Sequence, residues 1–378
     1  MEMRKVFNWQ LKRRVSYVYP QSRPKKQWAM IFDLNKCIAC QTCSLACKTT
    51  WTSGKGQEYM FWNNVETKPY GGYPVAWDLG ILSKLKAQEW RGDKYFGKTL
   101  FEAAEKDEKI LQHISEDEDW AYPNIGEDEI SGMVNRGDWI ATLPHRIWMF
   151  YLPRTCAHCT YPACLAACPR KAIYKRPEDG IVLIDQSRCR GYRECVRSCP
   201  YKKSMFNVET RISEKCVGCY PKIEQGEMPQ CVTNCIGKIR LTGFVSTPDN
   251  SRKDNPVDYL IHEKKLALPL YPQFGLEPNI YFIPPIHVPI SFQEQMFGPG
   301  VGKAVETYKN IRDDQTLKGL LVLFGSFEKI LHSFKVDKEH AYGFDEKGRE
   351  IISVPVTEPI YVRDVFDKNL KAYRLNTP

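Results

Sequence analysis

The sequence predicts an α+β fold in which two small cysteine-rich units, one nested inside the other, carry a long insertion and a C-terminal arm. Three observations point there. Fifteen cysteines among 378 residues fall into four tight groups. Two groups are neighbours in the sequence, and the other two stand far apart on either side of them. Long stretches without cysteine separate and follow the groups.

The groups share a grammar. Cys37, Cys40, Cys43 and Cys47 form C-x2-C-x2-C-x3-C; Cys156, Cys159, Cys164 and Cys168 form C-x2-C-x4-C-x3-C-P. Cys216, Cys219, Cys231 and Cys235 form C-x2-C-x11-C-x3-C. Cys189, Cys195 and Cys199 read C-x2-Y-x2-C-x3-C-P, with Tyr192 where a fourth cysteine would complete the series. This is iron–sulfur spacing: three thiolates on a tight loop hold one cube, and the fourth cysteine ligates a neighbouring cluster. Prolines directly after Cys168 and Cys199 match the bacterial ferredoxin pattern. Disulfide frameworks suit small secreted chains with an even cysteine count, and zinc knuckles pair their cysteines rather than stacking four inside eleven residues. Four groups imply four clusters, and four clusters imply an electron-conducting chain.

The elements follow in order. Residues 1–27 form an N-terminal arm, basic but without an apolar stretch, so the sequence shows no secretory signal. Trp28 to Phe32 (WAMIF) reads as a strand, and the residues after Cys40 suit a short helix. Residues 51–145 are an insertion with an acidic patch from Glu116 to Glu129, which reads as solvated surface with a partner contact as the alternative. Arg146 to Leu152 reads as a strand returning to the core, and Ile181 to Asp185 as the second arm of a hairpin between two cysteine groups. Group, hairpin, group makes 146–204 one ferredoxin-like double-cluster unit. The first and last groups each lack a near partner. The simplest closure pairs 28–50 with 205–245 as a second ferredoxin-like unit, completed by a strand from Lys238 to Phe244. Residues 246–378 are rich in proline and aromatics, with a helix or two between Lys303 and Phe334, and read as an arm packing on the core and on a partner.

The ferredoxin rule, three cysteines to one cluster and the fourth to the other, assigns ligands. Cys37, Cys40, Cys43 and Cys235 hold a first [4Fe–4S] cluster; Cys47, Cys216, Cys219 and Cys231 hold a second. Cys156, Cys159, Cys164 and Cys199 hold a third. Cys168, Cys189 and Cys195 remain, three thiolates suited to a [3Fe–4S] cluster, with Tyr192 at the vacancy. The tyrosine ring either fills and shields that corner or ligates as phenolate; filling is the preferred reading.

Composition bounds the rest. A formal charge of +9 does not define a nucleic-acid binder, and no apolar run reaches the ~18 residues of a membrane span. Leu317 to Phe324 is the best apolar stretch and reads as a core helix. Between Arg146 and Lys203 there are twelve Lys or Arg against four Asp or Glu. Positive charge near a cluster favours its reduced form, and the same arginines also suit a partner's carboxylates. His158, between two ligands, either donates a hydrogen bond to the cluster or is a plain loop residue. No phosphate loop, HExxH or nucleophile elbow occurs, so no catalytic residue is assigned in this chain.

At this point the residues resemble a known family. The stretch from Cys156 to Lys203, with EKCVGCYPKIEQ and CVTNCIGKIR, resembles the iron–sulfur β subunit of type II dimethyl-sulfoxide-reductase-family molybdoenzymes. That family spans nitrate reductase, nitrite oxidoreductase, perchlorate, chlorate and selenate reductases, and ethylbenzene and dimethylsulfide dehydrogenases. The resemblance covers roughly 28–50 and 146–245, and its nested ferredoxin pairing agrees with the ligand assignment. It implies a molybdenum–bis-pterin catalytic α subunit, often a haem b γ subunit or a cytochrome, and export as a folded complex, with the cytoplasmic membrane face as the alternative. Nitrate reductase β has tryptophan at the position of Tyr192; tyrosine there, with CRGYR and CIGKIR, looks more like nitrite oxidoreductase. A free polyferredoxin carrier is the second reading, disfavoured because such a carrier has no use for the long insertion and arm. A DNA-repair iron–sulfur protein is a distant third, for want of a dense basic stripe.

Overall fold

The computed structural model describes residues 4–19, 23–69, 71–121, 148–356, 365–367 and 371–374. Its organising element is the strand Gln27–Asp33, every residue of which is buried. An uninterrupted apolar run suits a strand covered on both faces. It pairs antiparallel with Arg240–Val245 on one side, Leu241 opposite Ile31, and parallel with Ile280–Ile283 on the other, Tyr281 opposite the same Ile31. Leu268–Pro269 adds a short fourth strand at the edge. Trp28 donates its indole N–H to the Thr242 hydroxyl at 2.9 Å, tying the two segments by side chains as well.

Part of the segment expected to be an arm is therefore woven into the sheet. Tyr271, Phe274, Leu276, Tyr281 and Ile283 are almost fully inaccessible to water, so the proline- and aromatic-rich stretch is core. Beyond it come the helices Ile290–Phe297, Val301–Lys309 and Gln315–Val322. The Asp314 carboxylate caps the last of these, accepting from the Leu317 N–H at 2.9 Å. A three-stranded sheet, Ser333–Val336, His340–Phe344 and Glu350–Pro355, follows.

Short elements carry the cysteines. Thr42–Trp51 is a helix entered through Gln41 in the left-handed region, and it buries Cys43, Ser44 and Cys47 along one side. Ala163–Ala167 and Glu194–Ser198 are single turns of helix, each ended by a cysteine and a proline. Between them runs the hairpin Ile173–Lys175 with Val182–Ile184, and after them Ser204–Asn207 with Ile212–Lys215.

The insertion is stitched to this core. Its strand Asn64–Lys68 pairs antiparallel with Phe150–Arg154. The returning strand thus lies slightly later than the sequence suggests, and Arg146 falls outside the described residues. Inside this pairing Glu66 and Arg154 form a buried ion pair, and the Arg154 guanidinium lies 3.9 Å from the Trp77 ring centre. Of the acidic patch, the described portion forms the helix Asp117–Ala121, with no buried side chain, while 122–129 lie outside the described residues. Among the described residues no helix is long and apolar enough to cross a membrane.

Candidate metal centres

All fifteen cysteines are free thiols, and the fold gathers them from distant parts of the chain. Cys37, Cys40, Cys43 and Cys235 line one cavity. Cys47, Cys216, Cys219 and Cys231 line a second, and Cys156, Cys159, Cys164 and Cys199 a third. The three cavities are similar in size. Cys168, Cys189 and Cys195 make a fourth set, close enough that the first two raise the pKa of the third. Among the described residues no three His, Cys, Asp or Glu side chains converge on a point fit for a single metal ion. The thiols instead line shared cavities in sets of four.

Electrostatics makes each set unstable as bare thiolates. Burial first, then Cys216, Cys231 and Cys219, push Cys47 up. Burial, then Cys156, Cys199 and Cys164, push Cys159 well up. Burial likewise raises Cys37 to about 11, with Cys43 and Cys235 adding to it and Arg240 opposing. Ionising all members of a set requires a polycationic core among them, which is what iron within a cluster supplies. The donor set therefore fits iron–sulfur clusters. Among the described residues, donors without protein partners add to the fit: His158 Nε2 and Trp62 Nε1, from residues lining the third and second cavities.

Neighbouring sets also feel one another. Cys231 responds to Cys43, Cys216 to Cys156, and Cys164 to Cys195, which orders the sets first, second, third, fourth. Buried cations occupy the first two junctions. Arg240 donates from Nη2 to Cys43 Sγ at 2.9 Å and also faces Cys231. Lys203 sits between Cys47 and Cys199, its pKa lowered to about 7 by burial and then by Arg154. Lys215 raises no ion pair of its own but lies against both Cys164 and Cys216. The third junction is apolar, with Cys164 and Cys195 packed alongside Ile173 and Val182. Sequence reasoning treated the basic residues as a group and missed these buried ones. The available signal was local: Arg240 stands between Ile239 and Leu241 in a strand whose neighbours are apolar.

Direct hydrogen bonds complete the sites. The Trp51 indole N–H donates to Cys219 Sγ at 3.2 Å, and backbone N–H groups of Ala172, Ser213 and Gly218 donate to Cys168, Cys189 and Cys216 at 3.3–3.4 Å. His158 is fully buried. Its Nδ1 accepts from the Val182 N–H at 3.0 Å and its ring meets Trp28 edge-on, so it is no plain loop residue. Tyr192 is 59% exposed and so is not packed into a closed corner. Gly191 beside it has φ +66°, and a Cβ there would meet the Arg211 carbonyl at 2.4 Å. That close approach holds the Cys189 loop against the Arg211 turn.

Thiol sets of this chemistry on ferredoxin-type elements define an iron–sulfur electron-transfer protein. Residues 147–244 match the family described as 4Fe-4S dicluster domain. The chain is 43% identical over 315 residues to the chlorate reductase β subunit of Ideonella dechloratans, covering 75% of this chain and 90% of that one. It is 43% identical over 310 residues to the selenate reductase β subunit of Thauera selenatis, with coverage of 75% and 90%. It is 40% identical over 326 residues to the respiratory nitrate reductase β subunit of Haloferax mediterranei, with coverage of 76% and 86%. The chain belongs to the iron–sulfur β subunits of the type II dimethyl-sulfoxide-reductase family.

Proposed function

We propose that this β subunit carries three [4Fe–4S] clusters and one [3Fe–4S] cluster on two nested ferredoxin-like units, and conducts electrons between a molybdenum–bis-pterin catalytic subunit and a haem subunit or external carrier. The observation that carries it is the grouping of fifteen thiols into sets of four, four, four and three, with successive sets in electrostatic reach. The nested reading is supported by Cys235 lying with Cys37, Cys40 and Cys43, and by the pairing of Gln27–Asp33 with Arg240–Val245 around the inner unit. Bound clusters would supply one-electron steps. The chain's own part is to hold them in order, exclude water and set their potentials through buried Arg240, Lys203 and Lys215.

The substrate belongs to the catalytic partner. Chlorate, selenate and nitrate relatives are 43%, 43% and 40% identical to this chain, too close to rank a substrate. Tyr192 and its CRGYR context favour nitrite oxidoreductase as the parent complex, with nitrate reductase as its nearest alternative. The test is metal analysis and electron-spin spectroscopy of the affinity-purified chain with whatever accompanies it. The expected result is a molybdenum-containing partner, roughly fifteen irons in this chain beyond those of the partner, and a three-iron signal after oxidation. Zinc in place of iron, or only about eight irons, overturns the four-cluster reading.

A further inference from the structure

Arg240 is a buried arginine without a carboxylate. It is 1% exposed, and among the described residues no acidic side chain pairs with it. Its Nη2 donates to Cys43 Sγ at 2.9 Å, its Nη1 donates to Asn63 Oδ1 at 3.2 Å, and its plane lies over the Phe32 ring at 4.4 Å. The anionic groups that face it are Cys43, Cys235 and Cys37 of the first set and Cys231 of the second. A guanidinium taken fully out of water is costly unless an opposing charge meets it. Arg154 meets Glu66; Arg240 meets only sulfur.

This arrangement differs from an ordinary hydrogen bond to a ligand. Trp51 donates to Cys219 alone and brings no net charge. Arg240 brings a full positive charge and stands at a junction, so one side chain acts on two sites in a medium where charge is poorly screened. The guanidinium is held on three sides, by a thiol, an amide and a ring, and cannot follow one site at the expense of the other.

We propose that Arg240 is a shared positioning charge that raises the reduction potentials of both the first and the second cluster and eases their simultaneous reduction. The inference rests on the four-cluster reading above. Each added electron makes a cluster more negative, and a fixed cation between the two lowers the free energy of that state on either side.

The experiment is a spectroscopically monitored redox titration of the purified complex carrying Arg240→Gln, Arg240→Lys or Asn63→Asp. In Arg240→Gln, two cluster midpoints should fall together while the other two stay in place. Arg240→Lys, which keeps the charge but loses the planar fork, should give a smaller fall in the same pair. Asn63→Asp leaves the arginine in place and offsets its charge from the Nη1 side, so it too should lower both midpoints. Iron content measured on each variant separates a shifted cluster from a lost one. Four unmoved midpoints in iron-complete Asn63→Asp and Arg240→Lys would show a purely structural arginine; movement of one midpoint alone would refute the sharing. Fewer than four clusters in the unsubstituted complex would instead refute the underlying four-cluster reading, whatever the variants do.

Discussion

Replacing Arg154 with methionine tests how the insertion is anchored to the thiol-bearing core. The Arg154 Nε donates to Glu66 Oε1 at 2.7 Å, and both side chains are 2% exposed. Glu66 also accepts from the Trp77 indole at 3.0 Å and the Tyr73 N–H at 2.9 Å, while Arg154 Nη2 donates to the Tyr73 carbonyl at 2.8 Å. Burial would raise the Glu66 pKa; Arg154 first, with Lys68 and Lys203, more than reverses this and holds the carboxyl below its ordinary range. Methionine keeps the apolar stem but strands the carboxylate, and breaking a buried pair from one side costs about 3–5 kcal/mol. At about 2.1 cal/mol/K of unfolding entropy per residue, each kcal/mol moves the midpoint of a 378-residue chain by roughly 1.3 °C, so melting should fall by about 4–6 °C. Melting of the purified complex followed at one scan rate, with iron content in parallel, is the appropriate assay because such unfolding is rarely reversible. The double change Glu66→Leu with Arg154→Met removes both charges and should recover most of the loss. A single-variant loss under about 1 kcal/mol, or a double variant as unstable as the single, would refute the reasoning.

Two further outcomes are expected. Tyr192→Cys should add a fourth thiolate to the Cys168, Cys189 and Cys195 set, replacing the three-iron signal with that of a four-iron cluster of lower potential; an unchanged three-iron signal would mean position 192 does not face the vacancy. Glu102 is held down to about 2: burial opposes ionisation, but Arg13 at 2.7 Å and the Thr99 N–H at 3.0 Å outweigh it. Its carboxylate stabilises the fold above its unfolded value near 4.5 and loses that contribution as pH falls toward 2. Glu102→Gln should therefore melt lower than the parent at neutral pH, with the gap narrowing below about pH 4.5. A gap that stays constant on acidification would argue against the ion pair.

What the sequence made legible was whatever chemistry forces into a pattern. Thiol spacing is dictated by a cluster's size, so the reading that set Cys235 beside Cys37, and Cys199 beside Cys156, followed from counting residues. The strand at Trp28 to Phe32 and the helix after Cys40 were equally plain, because five apolar residues and a buried Cys43–Cys47 face leave little choice. The central role of residues 268–283 was hidden. A strand buried on both faces shows no alternation, and its flanking prolines resemble a linker until the neighbouring strand is known. Buried charge was hidden for a different reason: Arg240, Arg154 and Lys203 look in sequence like any surface base, and only their partners, far away in the chain, reveal their burial. Tyr192 was placed by its position in the motif, but the exposure of its ring is a matter of tertiary packing that no local pattern announces.

The strand Gln27–Asp33 has a history as well as a place. During synthesis it emerges with five apolar residues in a row, yet its antiparallel neighbour begins at Arg240 and its parallel neighbour at Ile280. Ile31 must wait for Leu241 and then Tyr281 to be made, and until then both rows of its backbone amides and carbonyls are open to any other nascent chain. The same wait holds Cys37, Cys40 and Cys43 apart from Cys235, while the inner cysteines from Cys156 to Cys199 are already complete. In order of synthesis, the inner thiol sets are thus complete before the set that opens the chain.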